Sequence, residues 1–149
     1  MEMQFKLTSI SDKELQKLED KNNIIIPDSY RKFLLEDSGG QPQQNNFYKE
    51  LETGGIFNFD IDAFLGISDN LSFDLFHTYN IMLGVVPSEV LVIADDGVGN
   101  KICIGMADEV LGKIYIWWAE NENSENEKPN LESIEMVADS FSEFTSYLR

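Results

Sequence analysis

The sequence predicts a single α+β domain spanning residues 1–149, and three observations carry that reading. Two capped amphipathic helices stand in series near the start. Three apolar strands then follow one another between Val90 and Trp118, and a capped helix closes the chain. The turns joining those strands are too short for a crossover helix, so an antiparallel meander is expected.

In the first helix, Ser11 and Glu14 have capping-box spacing, and Ile10 and Leu15 occupy the positions of a hydrophobic staple. Leu15 and Leu18 mark its buried stripe, and Asn22-Asn23 ends it. Pro27 suits the first position of the second helix, where the N–H it lacks would have no partner. Tyr30, Phe33 and Leu34 follow at i, i+3, i+4, and Gly39-Gly40 supplies a left-handed stop. Gln41 to Thr53 is Gln/Asn-rich and reads as loop, whereas Gly55 to Phe59 reads as a strand. A helix over Ser72 to Asn80 turns Leu75, Phe76 and Tyr79 inward.

The meander strands are Val90 to Ala94, Lys101 to Gly105 and Lys113 to Trp118. Glu120 to Glu127 is too polar to pack and reads as a solvated loop. Ser133 to Val137 is a further strand, and the last helix runs from Asp139 to Leu148. Its Ser140/Glu143 pair repeats the capping-box spacing, with Phe141, Phe144, Tyr147 and Leu148 on the apolar face.

A chain of 149 residues can bury about two-thirds of its unfolded surface. Ten Phe and two Trp supply a core and argue against disorder despite a net charge of −16. The one cysteine, Cys103, excludes an internal disulfide and suits a reducing compartment. The N-terminal residues lack a signal-peptide pattern, and no apolar run reaches the ~18 residues of a membrane span, so a cytoplasmic location is expected.

The charge is unevenly placed. Between Glu50 and Asn100 there are nine carboxylates (Glu50, Glu52, Asp60, Asp62, Asp69, Asp74, Glu89, Asp95 and Asp96) and no Lys or Arg. Such a chain repels nucleic acid and anionic membrane and attracts cationic protein surfaces. The expected partner is therefore a basic protein. Oligomeric state is left open, because meander edges could pair between copies while like charge opposes it.

Five segments, in order, resemble the SUKH superfamily. They are Ile26 to Leu34 with Gly39-Gly40, then Phe64-Leu65-Gly66, Pro87 to Cys103, Gly112 to Trp117, and Val137 to Phe144. The resemblance implies a twisted, mainly antiparallel sheet flanked by helices. It also implies a role as an immunity protein that neutralises a toxin, very often a nuclease. A regulatory scaffold with an endogenous cytoplasmic partner, as in the yeast cell-wall-synthesis regulators of the superfamily, is the alternative.

The Asp95–Asn100 turn carries two aspartates, an asparagine and two glycines, but it lacks the twelve-residue ligand pattern of a calcium loop. Turn chemistry accounts for these residues better than a metal does. His77 and Cys103 are the only possible Cys–His pair, and an acidic chain is a poor setting for a thiolate. Acidic pairs such as Asp60/Asp62 are expected by chance among 27 acidic residues, so no catalytic residue, metal site or cofactor is assigned. Trp117-Trp118 places one ring on each side of a strand. An exposed tryptophan among carboxylates is a natural anchor for a partner. The candidate contacts are Asp60, Asp62, Asp95, Asp96, Trp118, Glu120 and Glu122.

Overall fold

The computed structural model describes residues 1–121 and 129–149. In chain order the elements are β1 (Met3–Lys6), α1 (Asp12–Asn22), α2 (Asp28–Asp37), β2 (Gly40–Pro42), β3 (Asn46–Glu50), β4 (Ile56–Asp60) and β5 (Ala63–Phe64). There follow α3 (Leu75–Ile81), β6 (Val90–Asp95), β7 (Lys101–Gly105), β8 (Ile114–Trp117), β9 (Ile134–Ala138) and α4 (Phe141–Ser146). Among the described residues, seven strands form an antiparallel sheet in the order β1-β2-β5-β6-β7-β8-β9, and β3 and β4 form a separate hairpin. With its helices, this is a single α+β domain.

The predicted capping box of α1 forms: Ser11 Oγ accepts Glu14 N–H at 3.2 Å and Glu14 Oε1 accepts Ser11 N–H at 3.3 Å. Asn23 ends the helix in the left-handed region at φ 56. Pro27, expected as the first helical residue, is instead the cap before Asp28. The joint between α1 and α2 holds a buried carboxylate. Glu19, on α1, accepts Ile26 N–H at 2.8 Å and Arg31 Nε–H at 3.0 Å.

The left-handed stop of α2 is Ser38 (φ 70), not the glycine pair. Gly39 and Gly40 serve the sheet instead. Gly40 lies between β1 and β5, and a Cβ there would come within 2.2 Å of Phe5 O at φ +119. Only glycine lets the backbones approach that closely.

The Gln41–Thr53 stretch, expected to be loop, contains β2 and β3. Its polar residues face outward while Phe47 is fully buried, stacked on Phe59 at 4.8 Å and on Phe144 of α4 at 4.7 Å. Phe47 of β3 and Phe59 of β4 together seat the hairpin against α4. The meander forms at the predicted positions, with β6, β7 and β8 in antiparallel register. Tyr30 runs from α2 into the sheet, where its hydroxyl bonds to Leu65 O and to Ile93 O (3.2 Å).

At α4 the second capping box is modified. Glu143 N–H donates to Ser140 Oγ at 3.0 Å, but the Glu143 carboxylate reaches back to Asp139 N–H at 2.8 Å and meets Lys49 Nζ at 3.4 Å. The Asp139 N–H, and secondarily Lys49, hold this carboxyl below its ordinary value of 4.5. A depressed carboxyl stabilises the fold fully above its unfolded value and loses that contribution as pH falls through the folded value. Glu143→Gln should therefore lower stability by a constant amount above about pH 5, and the gap should close on acidification. Urea midpoints measured at several pH values check this; a gap independent of pH would contradict it.

Candidate functional site

One end of the main sheet gathers most of the predicted contacts. There β6 ends at Asp95, β7 begins at Lys101, β8 ends at Trp117 and β9 begins at Ile134, in register as Asp95↔Lys101, Lys101↔Trp117 and Trp117↔Ile134. The Asp95–Asn100 turn closes this end, and its aspartates hold it. Asp95 Oδ1 accepts Gly97 N–H at 2.6 Å. Asp96 accepts Val98 N–H and Asn100 N–H, each at 3.0 Å, and Asn100 Nδ2–H at 2.7 Å. The carboxylates thus satisfy the turn's own donors, as turn chemistry predicts. Among the described residues no three His, Cys, Asp or Glu side chains gather as a metal site.

Two neighbours are drawn against this turn. Asp62 N–H donates to Asp95 O at 2.8 Å, and a methyl group placed on Gly97 would lie 3.7 Å from Asp62 Cβ. On the other side, Asn100 Oδ1 accepts Ala119 N–H at 2.9 Å, which fixes the chain between Trp118 and Glu120. Asp62 and Glu120, far from the turn in sequence, thus join Asp95 and Asp96 around it as an acidic rim, with Trp118 two residues before Glu120 along the chain. Asp62 and Glu120 are exposed, and among the described residues neither carboxylate is hydrogen-bonded. Trp118 is half-buried, and its indole N–H donates to Glu135 at 3.0 Å. Trp117 is the core ring of the pair, only 4% exposed.

A family model of SMI1/KNR4 proteins (SUKH-1) matches residues 9–146, which takes in this rim and the helices behind it. The chain belongs to the SMI1/KNR4 (SUKH-1) family. No curated protein and no solved structure matches it.

Within this SUKH-1 domain the remaining predicted contacts are placed differently. Asp60 belongs to the hairpin, where its Oδ1 accepts Asn46 Nδ2–H at 2.9 Å. Glu122 lies outside the described residues. The uninterrupted acidic window does not become one face, because the fold divides it. Glu50 and Glu52 sit at the tip of the hairpin and Asp60 at its far end, about 14 Å from Glu50 at the usual rise per residue. Glu89 precedes β6 whereas Asp95 ends it. Asp74 caps α3 through His77 N–H at 3.0 Å.

Lys101, just outside the window in sequence, pairs with Asp95 and neutralises part of the rim. The strand register that joins them can be anticipated once Val90–Ala94 and Lys101–Gly105 are read as a hairpin. The approach of Asp62 and Ala119 to the turn has no local signal.

Cys103 is fully buried in β7, opposite Val92 and Tyr115, and burial pushes its thiol well above the ordinary value. That opposes thiolate formation. His77 is on α3, held as part of the Asp74 cap.

Proposed function

We propose that this SUKH-1 protein is an immunity protein that binds a cationic toxin domain and blocks it by occupying its surface, with no chemistry of its own. The observation carrying this reading is the rim of Asp62, Asp95, Asp96 and Glu120 near the partly exposed Trp118. A toxin that acts on polyphosphate must present a basic cleft, and an acidic rim steers association with such a cleft. The aromatic adjoining the rim offers apolar burial next to the charges, where interface energy concentrates. Asp95 and Asp96 are locked by the turn, so the rim is pre-shaped and binding orders fewer side chains.

Family membership supports binding of a protein partner, and among the described residues no helix is long and apolar enough to cross a membrane. The test is co-expression with the product of the adjacent reading frame. Rescue of growth together with co-purification is the expected outcome. Absence of both removes the immunity reading; a captured endogenous protein without rescue moves it to a regulatory scaffold.

A further inference from the structure

At the opposite end of the β6–β8 meander lies a second concave surface. It is a groove of about 420 Å³ whose walls include Ile25, Pro27, Met106 and Leu111, with Asp28 at its edge. Two of these apolar side chains are conspicuously bare: Ile25 is 80% exposed and Leu111 57% exposed. They come from separate parts of the chain, the connector between α1 and α2 and the turn between β7 and β8. The fold therefore brings them to one place. Met106 is held there by the bond from its N–H to Glu89 O at 2.9 Å.

The groove volume falls within the roughly 300–1,000 Å³ of sites that bind compact groups. Its surroundings are acidic. Asp28, Glu89, Asp108 and Glu109 are all exposed, and Lys113, next to Gly112 of the floor, offsets one of them. The connector carrying Ile25 lies outside any helix or strand. Among the described residues, nothing hydrogen-bonds the Ile25 backbone N–H or C=O. A segment with unpaired backbone groups can bond to an extended partner chain, whose alternate side chains enter the apolar groove beside it. A second copy of this chain is a poor occupant, since each copy carries −16.

We infer that this groove is a second protein-docking site, separate from the acidic rim, that takes an extended segment of a partner in which apolar residues alternate with Lys or Arg. The apolar residues fill the space between Ile25, Met106 and Leu111. The basic residues meet Asp28, Asp108 and Glu109. This does not depend on the immunity reading, because the groove lies at the other end of the sheet and its test needs no toxin.

The full chain, labelled with nitrogen-15, is titrated with the peptide acetyl-Lys-Leu-Lys-Val-Lys-Leu-amide and, in parallel, with its Glu-for-Lys counterpart. The basic peptide is expected to shift the amide signals of Ile25, Met106, Leu111 and Gly112, and the acidic peptide to leave them in place. Ile25→Glu with Leu111→Glu should weaken that binding at least tenfold. Both positions are exposed, so the remaining spectrum reports an intact fold. Shifts confined to Asp62, Gly97 and Val98 would mean charge attraction to the rim alone and would overturn the inference. So would equal shifts with the acidic peptide, no shifts at all, or undiminished binding by the double variant.

Discussion

Glu19→Ala is expected to cost about 2–4 kcal/mol, the scale for leaving a buried backbone donor unsatisfied and losing a charged hydrogen bond to a partly buried arginine. Total stability for a domain of this kind is roughly 5–15 kcal/mol, so the variant should lose a large fraction of it. Glu19 is 3% exposed, and its two oxygens hold Ile26 N–H and Arg31 Nε–H, which fixes the angle between α1 and α2. Removing it leaves a backbone donor without its acceptor and opens a gap beside the guanidinium. Arg31 keeps its bond to Asp12, which is the main reason its pKa is raised, so the loss should fall toward the lower end of the range. Glu19→Gln retains an acceptor and should recover about half of the loss, as a neutral hydrogen bond is worth roughly half a charged one. Urea unfolding of the three proteins measures both steps. A cost below about 1 kcal/mol for the alanine variant would place the joint outside the stability core.

The second large effect concerns binding. Trp118→Ala should weaken the complex with the proposed toxin partner by about 2 kcal/mol or more, the scale of an aromatic anchor, mostly through faster dissociation. Asp62→Asn with Glu120→Gln should act on the other rate. Neither carboxylate is tied into the turn, so neutralising both removes charge without disturbing Asp95, Asp96 or Asn100. Slower association with little change in dissociation is the signature of lost steering. Trp118→Phe separates burial from the indole–Glu135 bond. If it retains affinity, ring burial carries the anchor.

Much of the fold can be read locally in the sequence. Capping residues and apolar spacing place α1, α2 and α4, and β-rich runs place β6, β7, β8 and β9, the first three punctuated by glycine. Short strands without an apolar run were not legible: β1, β2 and β5 are held by neighbours in the sheet rather than by their own composition. The Gly39-Gly40 pair carried a correct signal with a different cause. It permits close backbone packing, while Ser38 makes the helix stop. Asp95 and Asp96 were legible as turn residues because Asx chemistry is local.

The convergence of Asp62 and Glu120 on that turn depends on pairings between distant segments, which charge counts along the chain cannot reveal. Nor can they reveal that Lys101 sits opposite Asp95. Carboxylates that are close in sequence between Glu50 and Asn100 are separated in the fold by the length of a strand. The groove around Ile25 and Leu111 was invisible for the same reason.

The most direct measurement is the association rate of the proposed toxin partner with the wild-type chain and with the Asp62→Asn/Glu120→Gln variant across a series of salt concentrations. Steering by the acidic rim predicts a wild-type rate that falls steeply with salt and a variant rate that is slower at low salt and flatter throughout. Two coincident curves, or a wild-type rate indifferent to salt, would contradict the account.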